Sequence, residues 1–474
     1  MIDISKLTIK SLQGHLKGGD FSVKDLAEAY LAEIKNKNAD INAYLEVYSD
    51  VMEQAENIDK KIAEGKIGPL TGVPLALKDN ILIDGRKVTS ASKILEGFVA
   101  PYDATVVKKL KDEGVLFLGR ANMDEFAMGG STENSAFGVT KNPIDPTRVS
   151  GGSSGGSVAA VAMNGALASL GSDTGGSVRQ PSSFCGMVGL KPTYGGVSRY
   201  GLMAMGSSLD VIGPVTKTVT DSEILFNSIK GLDPMDSTTF GGDIYPERKS
   251  TDKLRVGVPY HILEKGGIDP ETKKNFDESV QKLKDMGYEI KDIKLPNIEY
   301  SLAVYYIIMP AEVSSNLSRF DGVKFGLHVS GDNLLQDYLK TRGQGFGQEV
   351  RRRILMGTYV LSAGYADAYY NKALILRQKI GEDFKKAFDE VDVIVTPTTP
   401  GPAFKIGEKI NDPLSLYLED VFTVPANIVG IPAISIPSGK VERDGVSLPL
   451  GLQIMAPHNC ENLLFEVGKK FLGE

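Results

Sequence analysis

The sequence predicts an α/β fold, with a mixed and mostly buried β-sheet covered by helices on both faces. Three observations predict it. Short apolar runs such as "GVPLALK" (72–78) and "VDVIVTP" (391–397) are continuous rather than alternating, the pattern of strands covered on both sides. Longer stretches with apolar residues at helical spacing lie between them, so helix and strand alternate along the chain. The composition, 42% hydrophobic and 24% charged over 474 residues, is that of an ordinary globular protein.

Taken in order, residues 6–64 read as helices. "SVKDLAEAYLAEIKNKN" opens on Ser22, a residue suited to cap a helix start. "MEQAENIDKKIAEGK" is a second, more polar helix. "GPLTGVPLALKDNILI" (68–83) is dense in apolar residues between Gly and Pro, and reads as a buried strand. "DATVVKKLKDEGVLFLGRANM" (103–123) is a helix followed by a strand. "SVAAVAMNGALASLGSDTGGS" (157–177) repeats that step between two glycine loops. From 231 the texture changes to a polar stretch, a strand "LRVGVPY", a helix "PETKKNFDESVQKLKDMG" and two Tyr-rich helical runs (301–320 and 358–380). "VDVIVTPTTP", "GIPAISIPSG" and "LPLGLQIMAP" return to short buried strands. The pattern implies one large α/β core interrupted by a helical region that covers it.

Bulk charge narrows the function. Net charge is −7, so the chain has no general electrostatic reason to grip nucleic acid by itself. Two cysteines, Cys185 and Cys460, form neither a disulfide framework nor a metal cluster. The start lacks a basic segment followed by an apolar run, and no stretch approaches the length of a membrane span. A cytoplasmic protein without membrane contact is expected.

Glycine and serine gather in "SGGSSGGS" (150–157) and "GSDTGGS" (171–177). Gly152 to Gly156 fits G-x-S-x-G, which nominates Ser154 as a hydrolase nucleophile. That reading needs a histidine, and His15, His261, His328 and His458 all lack a distinctive context. "SASK" (90–93) matches S-x-x-K without its companion motifs, and no P-loop occurs. An alternative uses both loops: Ser153 and Ser177 stand 24 residues apart, and the helix and strand between them return the chain to one end of the sheet. Lys78 directly follows the buried run "VPLAL". A lysine there either snorkels to solvent or is held dry, which costs its charged form.

"GVPLALKDN", "SGGSSGGS" and "GSDTGGSVRQPSSFCG" together resemble the amidase signature family, at motif density over residues 65–215 and more thinly to the C-terminus. The resemblance implies a Ser–cis-Ser–Lys triad on a single fold spanning 1–474. In that layout 1–64 are N-terminal helices, 65–230 and 391–474 the catalytic core, and 231–390 a helical cover that carries pocket residues. Ser177 corresponds to the acylated nucleophile, Ser153 to the bridging serine after a cis peptide from Gly152, and Lys78 to the base. The chemistry is coherent. A serine hydroxyl attacks only if its proton is accepted, and burial lowers a lysine pKa from about 10.4 toward neutrality. The "DTGGS" loop can aim the N–H groups of Thr174, Gly175, Gly176 and Ser177 at one point, as an oxyanion hole. Asp173 and Arg179 are expected to brace that loop, and Cys185 to pack as a small hydrophobe.

Within the family, "ANMDEFAMGGSTENSAFGVTKNP" (121–143), "SSNLSRFDGVKFG" (314–326), "GQEVRRRILMGTYVLSAGYADAYY" (347–370) and "YLEDVFTVPANIVGIPAISIP" (417–437) are most similar to the glutamine-hydrolysing subunits of tRNA-dependent amidotransferases. That similarity implies ammonia taken from glutamine and passed to a kinase-transferase B subunit, with a small C subunit completing the complex. ATP and magnesium would sit on the B subunit, which would also hold the tRNA, and this chain would carry no cofactor and no metal. It assigns Arg353 and Asp420 to the α-carboxylate and α-amine of glutamine, with Tyr305, Tyr306, Met128 and Gly129 lining the pocket. The sequence does not choose between the two tyrosines. Arg353 also stands beside Arg351 and Arg352, where a solvated helix face is the ordinary alternative. A stand-alone amidase on small carboxamides would share the triad but needs neither Arg353 nor Asp420.

Overall fold

The computed structural model describes residues 2–241, 244, 254–264, 267–409 and 412–474. Eleven strands form one sheet: β1 Tyr44–Val47, β2 Pro74–Lys78, β3 Leu116–Ala121, β4 Ala168–Asp173, β5 Val188–Lys191, β6 Val211–Thr216, β7 Arg255–Val258, β8 Glu289–Asp292, β9 Val393–Pro397, β10 Ala433–Arg443 and β11 Val446–Met455. Their order across the sheet is β1-β3-β2-β4-β6-β5-β10-β11-β9-β7-β8. β2 runs parallel to β3 and β4, and β7 runs parallel to β8 and β9. The pairs β1–β3, β4–β6, β5–β6, β5–β10, β10–β11 and β9–β11 are antiparallel, so the sheet is mixed as expected.

Both faces are covered. In β9, Val393 and Val395 enter one apolar core and Ile394 the other, as side chains that alternate across a strand must. The first core takes Leu26, Val158, Leu225 and Leu464 from the helices Val23–Ile41, Gly155–Ala162, Val219–Ile229 and Glu461–Leu472. The second takes Ile308, Phe384 and Ile428 from Ser301–Asn316, Asn371–Glu390 and Val424–Val429. Ser22 caps its helix as its position implied: its side chain accepts from Asp25 N–H, and Asp25 returns the bond.

Three expectations need correction. The N-terminal 64 residues are not purely helical: Tyr44–Val47 adds the edge strand β1 on β3, too short and too irregular to show a strand period. The cover region is not wholly helical either: the expected strand in "LRVGVPY" forms as β7, and β7 with the unexpected β8 extends the common sheet through β9. The Tyr-rich run at 358–380 is also not one helix. A helix Gln348–Leu361 ends, a π-turn spans Ala366–Tyr370, and a new helix begins at Asn371.

The contact between helices Ser301–Asn316 and Gln348–Leu361 is set by Gly357. A Cβ there would lie 1.8 Å from the carbonyl oxygen of Pro310, so only glycine allows this approach. One turn earlier, the same helix carries Arg353 against Tyr306. Gly357→Ala is expected to lower stability by about 1–3 kcal/mol, the usual cost of overpacking, read as a fall in the urea midpoint, while a surface change such as Lys379→Ala leaves it unmoved.

Candidate active site

The carboxyl ends of the parallel strands β2, β3 and β4 meet at one place, the edge at which α/β sheets commonly bind ligands. β2 ends on Lys78. β3 leads into Met123 to Gly130, and β4 leads into Thr174 to Ser177. The loop 150–154 enters the helix Gly155–Ala162, which returns the chain to β4. Ser154 N–H donates to the carbonyl oxygen of Ser177 at 3.1 Å, so the two glycine loops are tied together.

Lys78 does not snorkel: it is 0% exposed. Its Nζ is 2.7 Å from Ser153 Oγ, 2.8 Å from Ser154 Oγ, 2.9 Å from Ser172 Oγ and 3.2 Å from the Ser172 carbonyl oxygen. No carboxylate stands within that set. Burial lowers its pKa to about 7, against the opposing pull of Asp124, Asp173 and Asp210. At neutral pH a substantial fraction of Lys78 is therefore free amine, able to accept a proton.

The peptide bond between Gly152 and Ser153 is cis. A Cβ on Gly152 would lie 2.1 Å from Asp124 Oδ2, so that glycine is required where the loop crosses the 124–132 segment. Gly152 N–H donates to Gln180 Oε1 at 3.0 Å, while Gln180 Nε2 donates to the Gly130 carbonyl oxygen. Asp124 accepts from the N–H groups of Thr132 and Asn134 at 2.9 and 3.1 Å, and burial pushes its carboxyl up to about 6.

Ser177 is 8% exposed, and its hydroxyl makes no hydrogen bond among the described residues. Of the four loop N–H groups expected to converge, Gly176 is withdrawn: it donates to Asp173 Oδ1 at 3.0 Å. Those of Thr174, Gly175 and Ser177 have no partner among the described residues. Asp173 and Arg179 are joined as expected, both fully buried, with Arg179 Nη2 to Asp173 Oδ1 at 2.9 Å and Nε to Oδ2 at 3.0 Å. Burial alone would raise the Asp173 carboxyl, but Arg179 holds it well below the usual carboxylate range. The guanidinium also donates to Gln453, Asn427 and the Thr423 carbonyl oxygen, which ties the loop to the C-terminal third of the chain.

Arg353 is 3% exposed, so it is not a solvated helix charge. Its Nε donates to Glu349 Oε1 at 2.8 Å, and its guanidinium lies 5.6 and 5.5 Å from the ring centroids of Tyr306 and Tyr417, which stack on each other at 4.0 Å. Tyr417 Oη donates to the same Glu349 oxygen at 2.9 Å. The two tyrosines left open by the sequence divide the space. Tyr305 Oη comes within 2.8 Å of where a Cβ on Gly175 would stand, and Tyr306 faces Arg353. Asp420 Oδ1 is 3.2 Å from the corresponding point on Gly176, and Thr423 Oγ1 donates to the Gly175 carbonyl oxygen at 2.7 Å. Burial, then Glu419 and Asp173, push the Asp420 carboxyl well above its ordinary range, a state that a ligand cation would relieve. Met128 is buried, and Gly129 packs on Asp124. A cavity of about 130 Å³ lined by Asn134, Glu349, Arg352 and Tyr417 adjoins this pocket.

Other residues resolve simply. Burial pushes the Cys185 thiol up, and its Sγ reaches only the Ser150 carbonyl oxygen. His15 bonds Asp20, His261 the Leu295 carbonyl oxygen, His328 the Gly322 carbonyl oxygen and Ser330 Oγ, and His458 the Val429 carbonyl oxygen; none of these bonds reaches Ser154. Sequence reasoning missed Asn80, Asp124, Ser172, Glu349 and Tyr417. Glu349 was legible, four residues before Arg353 on one helix face. Asn80 and Asp124 lie inside motifs already recognised.

A protein-family model described as Amidase matches residues 25–465. The A subunit of the glutamyl-tRNA(Gln) amidotransferase of Desulfatibacillum aliphaticivorans is 49% identical over 99% of this chain and 97% of that protein. The protein of the same name from Thermoanaerobacter pseudethanolicus is 51% identical over 99% and 96%. Among solved structures, the A subunit of the Thermotoga maritima glutamyl-tRNA(Gln) amidotransferase is 43% identical with a TM-score of 0.77, covering 99% of this chain and 94% of that one. The native peptide amidase of Stenotrophomonas maltophilia is 27% identical with a TM-score of 0.81, covering 99% and 97%.

Arg179→Met is expected to destabilise the protein by about 3–5 kcal/mol, because it leaves the Asp173 carboxylate buried without its partner. Thermal unfolding checks this, and the double variant Arg179→Met with Asp173→Asn is expected to recover part of the loss.

Proposed function

The chain belongs to the amidase family, and on that premise we propose that it is the glutamine-hydrolysing subunit of a tRNA-dependent amidotransferase, with Ser177 as nucleophile, Ser153 as proton relay and Lys78 as base. The observation that carries the catalytic part is the dry Lys78 amine 2.7 Å from Ser153 Oγ. Ser177 Oγ forms a bond to the carboxamide carbon of glutamine while its proton moves to Ser153 Oγ, and the Ser153 proton moves to Lys78 Nζ. The carbonyl electrons go to its oxygen, and the N–H groups of Thr174, Gly175 and Ser177 are the donors suited to receive that oxyanion. Collapse breaks the C–N bond as the proton returns through Ser153 to the leaving nitrogen, releasing ammonia and leaving a glutamyl ester on Ser177. Water, activated along the same relay, hydrolyses the ester to glutamate.

Substrate choice rests on charges of opposite sign in one pocket. Arg353 suits the α-carboxylate, since a guanidinium fork matches that geometry. Asp420 suits the α-amine. Tyr305, Tyr306, Met128 and Gly129 complete the walls. A stand-alone amidase on simple carboxamides has no use for the Arg353–Asp420 combination. Identity over the full length is 49–51% to the amidotransferase proteins against 27% to a peptide amidase. Those relatives are named as one part of a larger enzyme, which supports a complex with other chains. In this reading the B subunit uses ATP and magnesium to activate Glu-tRNA(Gln), or Asp-tRNA(Asn), and receives the ammonia. A small C subunit completes the complex, and the tRNA is held mainly by B. The acidic charge of −7 on this chain agrees with an RNA grip elsewhere. Cytoplasmic location follows from that role.

Ser177→Ala and Lys78→Ala are each expected to lower kcat for glutamine hydrolysis by about 10,000-fold or more with the folded state retained, measured as glutamate release by the complex. Arg353→Lys keeps the charge but loses the fork, and is expected to raise KM for glutamine by roughly 10–100-fold with a smaller effect on kcat. The pH profile has a definite sign. Only neutral Lys78 accepts a proton, and its pKa is about 7. Activity therefore falls as pH drops through neutrality and levels off above it. An acid limb centred near the ordinary lysine value would contradict the assignment of Lys78.

A further inference from the structure

Ser154 is the serine that G-x-S-x-G nominates, and the fold has already committed its proton. Its Oγ donates to the carbonyl oxygen of Ser172 at 3.0 Å, and a carbonyl can only accept. The lone pairs of Oγ face Ser172 N–H at 3.2 Å and Lys78 Nζ at 2.8 Å. Ser154 thus accepts from Lys78 whether the lysine is charged or neutral. Nor is the hydroxyl a helix cap: Ser154 precedes the helix Gly155–Ala162, but its side chain makes no capping bond there. Ser172 gives Lys78 a second set of acceptors, its carbonyl oxygen at 3.2 Å and its Oγ at 2.9 Å; that Oγ also accepts from Asn80 Nδ2 at 3.0 Å.

A neutral amine offers two N–H bonds and one lone pair. With N–H bonds directed to Ser154 and Ser172, the remaining direction is that of Ser153 Oγ, the shortest contact at 2.7 Å. We infer that Ser154 is a positioning residue: by accepting one N–H of neutral Lys78, it turns the amine lone pair onto Ser153. This rests on the assignment of Lys78 as base. Protons balance within the relay. Ser177 loses one to Ser153, Ser153 passes its own to Lys78, and Ser154 keeps its proton on Oγ, donated to the Ser172 carbonyl oxygen, throughout. Without Ser154 Oγ the amine rotates about Cε–Nζ among staggered positions. In one of these it donates to Ser153, and the relay is blocked.

The test uses Ser154→Ala in the full chain co-purified with its partner proteins, with glutamine hydrolysis followed across neutral pH. The expected result is a kcat lower by roughly 10–100-fold and a KM within about twofold of wild type. The acid limb moves to lower pH, because the ammonium loses a charge-assisted acceptor and is less favoured. A folding defect lowers the active fraction but does not move the limb. Ser154→Cys keeps the size with a weaker acceptor; an intermediate kcat is expected, and it serves if the alanine variant does not fold. Wild-type kcat with an unmoved limb in the folded variant, or a limb moved upward, overturns the role of Ser154 alone. A wild-type complex that does not hydrolyse glutamine overturns the glutaminase reading and this role with it.

Discussion

A lysine ammonium taken out of water and given only neutral oxygens as neighbours loses much of its reason to be charged. That is the condition of Lys78, and the architecture of the site follows from it. The burial that lowers its pKa from 10.5 to about 7 corresponds to on the order of 5 kcal/mol against the charged form. The cost falls on the folded state. It is full below about pH 7, where both states carry the proton, and fades as pH rises toward the unfolded value. The rest of the fold must therefore be stable enough to hold a lysine dry at the end of a strand, and to keep the nearest carboxylates from pairing with it.

The buried ion pair answers both needs. Asp173 lies on β4, one residue from Ser172, and would be a natural partner for an ammonium. Arg179 takes it instead, with both its oxygens engaged. The same guanidinium reaches Gln453 on β11 and Asn427 and Thr423 near the pocket, so the glycine loop 173–177 is anchored to segments roughly 250 residues away in sequence. Asp124 is satisfied by the backbone N–H groups of Thr132 and Asn134. Asp210 is satisfied by Thr174 Oγ1 and the N–H groups of Met205 and Gly206. Each acid near Lys78 is thus bound to something else, which leaves the lysine to the serines.

Much of this was legible in the sequence. Continuous apolar runs mark strands covered on both faces, and the mixed sheet has that form. The positions of Lys78, Ser153 and Ser177 came from motif resemblance, with the burial of "VPLAL" giving a physical reason for the lysine. The rest was hidden for identifiable causes. β1 has four residues and pairs irregularly, so it carries no usable period. Gly176 looked like a free N–H donor, but its neighbour Asp173 turns back to accept from it, a contact that loop composition does not encode. Arg353 sits in a run of three arginines, and only the packing of two helices at Gly357 decides which of them points inward. Ser172 was unremarkable as a strand residue; its role depends on β4 lying beside β2, which is a property of topology.

Near neutral pH a substantial fraction of Lys78 is neutral amine rather than ammonium. Nitrogen-15 NMR of the protein labelled at lysine Nζ measures it directly, with the Lys78 signal assigned as the one lost in Lys78→Met, since Lys191 is also buried and lowered to about 7. The Lys78 signal is expected to titrate near pH 7. A Lys78 that stays protonated to about its ordinary value near 10.4 would contradict it.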